Sequence, residues 1–413
     1  MIRTSLLAGL AAVTKILTLL ALNKVLAIYV GPAGYAALGQ FQNFVQMTTT
    51  FASGAINTGV VKYTAQHHGS DAAQQAVWRT AGSISLLGSA LAAILLFTFN
   101  KSLALWLLND EKQSDIFSWF AGTLILLVFN GLLLAMLNGK KETVKYVSAN
   151  ISGSIVAFTV TALLSITLGL RGALIALVIH QSLTFFVTLW ICLKTEWFRI
   201  TLLLGRIDPK TAVGLAKFTA MALVSAACIP LTHIVIRNHL GDTFGWTAAG
   251  YWEAMWRLSA AYLMLVTTTL SIYYLPRLSE LTEPSAIRRE IVQGYKFFVP
   301  IAAACGLTIF LAREPIIRTL FSAEFIEMEP LFAWQLIGDT IKIMSWLLGY
   351  VLTAKAFALL FIASEIIFSV LFVSLTYILT SFFGLEGTSI AHALTYLAHL
   401  AFMYLALRMN DVI

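Results

Sequence analysis

The sequence predicts an all-α polytopic membrane protein with twelve transmembrane helices in two six-helix lobes. Of its 413 residues, 59% are hydrophobic and only 11% are charged, whereas a soluble domain carries about 25% charged residues. The apolar residues form continuous runs of about twenty, the length of a helix that spans a bilayer. Transmembrane β-barrels show short alternating segments instead, so the pattern indicates helices.

Twelve apolar runs follow one another, and the connections between them are too short for a large soluble domain. The runs cover residues 4–30, 38–63, 78–98, 115–138, 145–168, 171–193, 211–237, 246–275, 290–312, 329–354, 355–380 and 386–408. The net charge of +7 is spread over short loops, without the clustered basic patch of a nucleic-acid-binding protein. Nucleic acid is therefore not an expected partner.

The loop charges predict the orientation, because cytoplasmic loops carry an excess of lysine and arginine. With the N-terminus in the cytoplasm, most loop cations fall on the cytoplasmic side. The opposite side then carries only Lys101, Lys112, Arg171, Arg237, Arg313 and Arg318. Both termini are therefore predicted to be cytoplasmic.

A polar connection at residues 194–210 divides the chain into an N-terminal lobe, residues 1–193, and a C-terminal lobe, residues 211–413. The two halves contain similar segments: GYAALGQFQNFVQM at Gly34–Met47 resembles GWTAAGYWEAMWRL at Gly245–Leu258. Related runs start on the same side of the membrane. This similarity predicts that the two halves are parallel repeats, related by an axis along the membrane normal, with a substrate site between them.

Five further segments carry a resemblance to a known family. They are VGPAGYAALGQFQNF (Val30–Phe44), VVKYTAQHH (Val60–His68), LAKFTAMAL (Leu215–Leu223), IYYLPRLSELTE (Ile272–Glu283) and LFAWQLIGDTIKIMSWLLGYVLTAKA (Leu331–Ala356). The chain resembles the Wzx-type flippases of bacterial polysaccharide assembly, in the multidrug/oligosaccharidyl-lipid/polysaccharide exporter superfamily. Within them it is most similar to the flippases for O-antigen units and for the enterobacterial common antigen lipid.

The resemblance implies a V-shaped pair of lobes in the bacterial cytoplasmic membrane, with the first, second, seventh and eighth helices around a central cavity. It also implies an oligosaccharide on undecaprenyl pyrophosphate as substrate, moved to the periplasmic leaflet by alternating access. A polysaccharide polymerase and a chain-length regulator are the implied protein partners. The common antigen flippases carry an acid after the position of Leu258, where this chain reads SAAYLM, so that ion-coupling residue is not carried over.

Two lysines in the first run are candidates for contact with the pyrophosphate. Lys15 falls near the middle of the run, and an ammonium at that depth costs about 2.5–3.5 kcal/mol on insertion scales unless it faces water, protein or an anion. Lys24 is nine residues further on, about two and a half helical turns, so the two point to opposite faces. Lys15 is the favoured cavity residue, and Lys24 has the alternative of snorkelling to the outer interface.

Two amides in the second run are candidates for contact with the sugars. Gln42 and Gln46 are four residues apart and so share one face of a helix. They suit a sugar headgroup, and the equal alternative is hydrogen bonding between helices.

The eighth run contains the polar and aromatic turn WEAMWR, with Trp252, Glu253, Trp256 and Arg257. In one interpretation Glu253 and Arg257 pair with each other, since they are four residues apart. In the other, Arg257 grips the pyrophosphate, as guanidinium groups do, and Glu253 is a protonatable counter-ion. Either tryptophan could then stack on a sugar ring.

Asp339 and Lys342 in the tenth run and Glu365 in the eleventh form a further candidate group at membrane depth. Their alternatives are a structural charge cluster and a site for H⁺ or Na⁺ coupling, because ionisable residues inside a membrane often mark ion pathways. His392 and His399 nearly share a face, but no third ligand is visible. Neither a metal nor another cofactor is therefore expected.

Two other functions are alternatives to the flippase. A drug/cation antiporter of the same superfamily takes a cationic substrate, so acids should dominate its cavity, whereas the candidate residues here include at least as many cations. A membrane polysaccharide polymerase or ligase needs a sizeable outer loop with catalytic residues. No such loop and no nucleophile with a base is apparent in the sequence, so we expect a transporter and not an enzyme.

Overall fold

The structure, a computed structural model, is helical along the chain. It describes the backbone of residues 2–355 and 357–412 and the side chains of these residues except 2–13, 15, 217–218, 221, 265, 271–272 and 276. Among the described residues the chain forms fifteen α-helices, four short 3₁₀ helices and one π-helical turn. This agrees with the predicted all-α class.

The first half of the described chain contains seven α-helices. They are α1 (Ile2–Tyr29), α2 (Gly31–Ala52), α3 (Asn57–Gln66), α4 (Asp71–Thr98), α5 (Asn100–Leu108), α6 (Ser114–Gly139) and α7 (Thr143–Leu193). The helix α7 is interrupted at Gly169, whose φ of +59° is a conformation that glycine adopts without steric cost. This break separates the two predicted runs 145–168 and 171–193.

Eight α-helices follow. They are α8 (Pro209–Phe244), α9 (Trp246–Thr269), α10 (Leu275–Glu280), α11 (Pro284–Leu311), α12 (Arg313–Leu320), α13 (Phe332–Ala354), α14 (Ala358–Phe383) and α15 (Gly387–Met409). The π-helical turn Leu270–Tyr274 joins α9 to α10, and 3₁₀ helices occupy Glu111–Gln113, Ile200–Leu202, Ala323–Leu331 and Gly384–Glu386.

Seven helical stretches of the described chain are long and apolar enough to cross a membrane. Two of them, Thr143–Leu193 and Ala358–Met409, have 51 and 52 residues, enough for two crossings each at about 20 residues per crossing. The helices α2 and α9 are not among the seven; α2 carries Gln42 and Gln46, and α9 carries Glu253 and Arg257. The structure is compatible with twelve crossings, and that number stays a prediction.

The contacts between helices divide the chain into two compact units. The first unit comprises Met1–Val30 and Ala37–Pro230, and the second comprises Gly31–Ala36 and Leu231–Ile413. The predicted lobe boundaries at residues 193 and 211 stay predictions.

In the first unit, the core packs side chains of α4 and α6 against the connection that follows α7. Leu202 and Leu203 of this connection are buried in the same cluster as Trp78, and the Ser83 hydroxyl donates to the carbonyl of Gly205 over 2.8 Å. Asp208 then accepts hydrogen bonds from the hydroxyl and backbone N–H of Thr211. These bonds hold the pKa of the Asp208 carboxyl below its usual value, as expected where donors face the charged form.

In the second unit, the main core lies between α9, α11, α13 and α15 and includes Leu263, Ile291, Leu347 and Met403. The helix α14 lies at the periphery, where Leu359 is 81% exposed and Phe382 is 76% exposed. Large exposed side chains of this kind would be unfavourable in water, but a bilayer is as apolar as leucine. These exposed side chains are therefore expected to face lipid.

Candidate functional site

A buried cluster of charges in the second unit is built around Glu253 of α9. One carboxylate oxygen accepts a hydrogen bond from Nε of Arg257 at 2.8 Å, and the other accepts from Nε of Arg237 on α8 at 3.0 Å. Glu253 and Arg237 are almost inaccessible, at 6% and 1% exposure. With all three groups ionised, the cluster contains two positive charges and one negative charge, so its net charge is +1.

The two arginines of this cluster differ in accessibility. The Arg257 side chain is 14% exposed, whereas that of Arg237 is 1% exposed. The Arg257 guanidinium carbon lies 5.0 Å from the centre of the Tyr35 ring, within the range of a cation–π contact. Arg257 is therefore the arginine of this cluster that a bound anion could reach with less rearrangement.

The pairing of Glu253 with Arg257 was one of the two interpretations of their spacing, and the structure contains it. Arg237 was noted in the sequence only as a cation near the outer end of its run. Its pairing with Glu253 was missed, because sequence spacing within one helix says nothing about which residue of another helix lies opposite.

The tryptophans of the same turn pack inside the second unit. Trp252 is fully buried, and its ring lies 5.8 Å from that of Trp256, while His233 lies 4.5 Å from Trp256. Among the described residues, neither indole N–H finds a hydrogen-bond acceptor. Both indole nitrogens are buried, and stacking on a sugar stays a prediction for both rings.

Asp339 of α13 accepts hydrogen bonds from two neighbouring helices. Ser259 and Tyr262 of α9 donate to one oxygen at 2.6 and 2.5 Å, and Nε2 of His392 on α15 donates to the other at 3.0 Å. Asp339 is 1% exposed and His392 is fully buried. The sequence singled out Asp339 but did not predict any of its three donors.

Lys342, one turn along α13, lies among aromatic rings. Its ammonium is 4.7 Å from the centre of the Trp256 ring, 4.9 Å from Trp346 and 5.0 Å from Tyr396. No carboxylate of the described residues lies within ion-pair distance of it. Desolvated cation–π contacts stabilise a charge by about 2 kcal/mol, so three rings together partly offset the burial of this ammonium.

Glu365 of α14 is the third residue of the predicted group, and its place in that group stays a prediction. The part of the chain that the structure describes contains no ion pair or hydrogen bond to its carboxylate, and the side chain is half-buried. Asp339 and Lys342 therefore lie together in the second unit without an ion pair to Glu365.

Gln42 and Gln46 line one cavity within the first unit, as their spacing of four predicts. The cavity has a volume of about 340 Å³, and Thr49, His180 and Gln181 also line it. Amides, hydroxyls and an imidazole on one wall offer both donors and acceptors. This is the chemistry that matches the hydroxyl groups of a sugar.

The structure shows less about the two candidate lysines of α1. The backbone of Lys15 is helical, but its side chain lies outside the described residues. Lys24 is half-buried in the last third of α1. The predicted role of either lysine in binding an anion stays a prediction.

Solved structures with the same fold include a multidrug transporter and a lipid flippase. The chain aligns with an inward-facing multidrug resistance MATE family transporter of the MOP superfamily over 96% of this chain and 94% of that chain, with a TM-score of 0.75 and 13% identity. It aligns with the lipid II flippase MurJ, in an inward closed conformation, over 100% and 89% of the two chains, with a TM-score of 0.73 and 13% identity. These likenesses confirm the predicted fold class.

Curated relatives extend over nearly the whole length. The chain is 30% identical to the lipid III flippase of Escherichia coli (strain K12) over 400 residues, which are 96% of this chain and 95% of the relative. The lipid III flippase of Shigella flexneri gives the same values. The family model described as polysaccharide biosynthesis protein matches residues 3–282, a range that includes Gln42, Gln46 and the Glu253 cluster. The chain belongs to this polysaccharide biosynthesis protein family.

Proposed function

We propose that this protein is a flippase that moves an oligosaccharide linked to undecaprenyl pyrophosphate from the cytoplasmic to the periplasmic leaflet by alternating access. The flippase names of the relatives, their coverage of nearly the whole chain and the helical transporter fold support this proposal. The chain acts as a transporter and not as an enzyme, because moving a lipid between leaflets breaks no covalent bond.

The observation that carries the proposal is the surplus positive charge around Glu253. A pyrophosphate diester is an anion that must cross an apolar layer, and Arg257 offers it a partly accessible guanidinium that can bind phosphate oxygens in a bidentate manner. Arg237 remains on Glu253 and keeps that carboxylate neutralised. The cluster can therefore gain an anion without leaving a buried charge unpaired.

The sugars would meet a different set of groups. The cavity lined by Gln42, Gln46 and His180 supplies hydrogen-bonding partners, and either Trp252 or Trp256 would stack on a sugar ring. Lys15 and Lys24 would add positive charge along α1.

The movement would be coupled to H⁺ or Na⁺ at Asp339. This carboxylate is buried with two hydroxyls and an imidazole, groups that can exchange protons or, for the oxygens, coordinate a small cation. In proteoliposomes, an imposed H⁺ or Na⁺ gradient should stimulate flipping by the unmodified protein and not by the Asp339→Asn variant. Equal stimulation of both would exclude Asp339 as the coupling residue.

The protein would lie in the bacterial cytoplasmic membrane with both termini in the cytoplasm, as the loop charges predict. Residues 1–193 and 211–413 would form its two six-helix lobes. A polysaccharide polymerase and a chain-length regulator would be its partners, since they would receive the flipped units.

The test of the function is complementation of a strain that lacks this flippase. Arg257→Ala and Lys15→Ala should each abolish surface polysaccharide at normal protein level, and Arg257→Lys should restore part of it by keeping the charge. Arg318→Ala is the matched control, because Arg318 also pairs with a glutamate four residues away, Glu314, but its side chain is 61% exposed. Normal polysaccharide in both the Arg257→Ala and Lys15→Ala strains would refute the role of these cations.

The same strains distinguish the flippase from a drug/cation antiporter. An antiporter predicts that deletion sensitises cells to cationic drugs and leaves surface polysaccharide intact. The flippase predicts the reverse, with accumulation of the lipid-linked oligosaccharide in the inner leaflet.

A further inference from the structure

A second basic site lies in the second unit, away from the residues assigned to the substrate. It is a cavity of about 430 Å³ between α11, α13 and α15, with Arg288 and Arg408 at its rim. Arg288 is one turn inside the start of α11, and Arg408 is in the last turn of α15. Both guanidiniums are therefore at helix ends, where a membrane-spanning helix meets the headgroup layer.

The charge of this cavity is not neutralised within the protein. Arg288 and Arg408 are both exposed, and no carboxylate of the described residues pairs with either of them. The nearby Arg277, in contrast, pairs with Glu280 and Glu290. Two guanidiniums at one opening favour a phosphate, since each can donate two parallel hydrogen bonds to its oxygens.

The remaining walls are apolar and open to the bilayer. Ile291 and Leu348 form the buried floor, while Val292 and Tyr404 are 43% and 49% exposed at the edge. The Tyr295 hydroxyl donates to the carbonyl of Met344 at 3.0 Å, which fixes one side of the cavity. Tyrosines that place an apolar ring beside a polar tip are typical of the interfacial layer of a membrane.

A ligand for this site must combine a phosphate with an apolar chain. Inorganic phosphate would use the two arginines but leave Val292 and Tyr404 facing lipid. A phospholipid contacts both the arginines and the apolar edge, because its phosphate binds the arginines while its acyl chain lies along Val292 and Tyr404. Basic pockets between helices at the membrane surface bind anionic lipids in this manner.

We propose that the cavity between α11, α13 and α15 binds the headgroup of an anionic phospholipid. The lipid is a lasting constituent of the protein's surface and not its transported substrate. This proposal does not rest on the proposed function, since it concerns residues that the flippase mechanism does not use.

The test is lipid retention measured by native mass spectrometry. The full-length protein is purified in detergent, supplied with vesicles of phosphatidylglycerol and phosphatidylcholine in equal amounts, and its bound lipids are counted. The variant is Arg288→Gln/Arg408→Gln. The matched control is Arg289→Gln/Lys296→Gln, which removes the same charge from exposed positions that do not line the cavity.

The unmodified protein and the control should retain phosphatidylglycerol in preference to phosphatidylcholine. The cavity variant should lose that preference. Its retention of phosphatidylglycerol should fall about 10-fold for each arginine removed, because losing a hydrogen bond to a charged group weakens binding by about that factor. Millimolar inorganic phosphate should not displace the lipid.

Three results would overturn the proposal. They are equal loss in the cavity variant and the control, equal retention of the two lipids by the unmodified protein, and displacement by inorganic phosphate. Thermal unfolding of each variant identifies any that fails to fold, and Tyr404→Ala, which leaves both arginines in place, should then still weaken retention by shortening the apolar edge.

Discussion

Replacement of Glu253 by alanine should destabilise the protein more than replacement of either arginine that it binds. The change removes the shared carboxylate from Arg237, whose side chain is 1% exposed, and from Arg257. Removing one partner of a buried ion pair costs about 3–5 kcal/mol, because the remaining charge stays desolvated without its counter-ion.

Arg257→Ala is the comparison that isolates the effect. It leaves Glu253 paired with Arg237 at 3.0 Å and removes a side chain that is partly accessible. The expected loss is on the order of 1.5 kcal/mol, the contribution of one hydrogen bond to a charged group. The two variants should therefore differ by roughly 1.5–3.5 kcal/mol in the free energy of unfolding.

The assay is thermal unfolding in detergent, followed by the fraction of protein that still elutes as a monodisperse peak after heating. At about 2 °C per kcal/mol for a large chain, the midpoint of Glu253→Ala should lie about 3–7 °C below that of Arg257→Ala. Glu253→Gln should fall between them, because the amide oxygen still accepts one hydrogen bond. Equal midpoints for Glu253→Ala and Arg257→Ala would refute the claim that Glu253 neutralises a buried arginine.

Three further changes test the packing of the second unit by the same unfolding measurement. Lys342→Met should keep the contacts with the aromatic rings and shift stability by less than about 1.5 kcal/mol, so a larger loss would show that the charge itself is needed. Gly250→Ala places a Cβ 1.8 Å from the carbonyl oxygen of Pro32 and should lower stability by about 1–3 kcal/mol, whereas Gly349→Ala, with nothing within 4 Å of its Cβ, should raise it by up to about 1 kcal/mol. Asp339→Ala leaves three donors without their acceptor, each at about 1–3 kcal/mol, and should be less stable than Asp339→Asn, which keeps an acceptor oxygen.

The sequence was most informative about features that lie within one helix. Apolar runs predicted where helices lie, and a spacing of four placed Gln42 beside Gln46 and Glu253 beside Arg257, because helical geometry alone fixes such neighbours. Breaks within predicted runs were harder to see. The run 38–63 is interrupted between Ala52 and Asn57, where the sequence FASGAIN contains a glycine.

Two connections that are predicted to lie on the outer side contain helices that no apolar run indicates. The segments that follow α4 and α11 contain the short helices α5 (Asn100–Leu108) and α12 (Arg313–Leu320). Both are too short to cross a bilayer, so a search for long apolar runs passes over them.

The partners of a residue on another helix could not be predicted. Which side chain faces Glu253 from α8, or Asp339 from α15, depends on how the helices are rotated and displaced against one another. Those quantities follow from packing of many side chains and leave no local signal in the sequence. Arg237 was noted only as a cation at the outer end of its run and His392 only for its spacing to His399, and nothing in their own surroundings specified a partner.

The shared carboxylate of Glu253 has a consequence for turnover. If the proposed substrate binds at Arg257, its phosphate would compete with the Glu253 carboxylate, which already accepts a hydrogen bond from Arg257 Nε at 2.8 Å. The affinity would then be the difference between two similar interactions and would be modest, which would favour release of the substrate in every transport cycle. After release, Glu253 would pair with Arg257 again from one helical turn away.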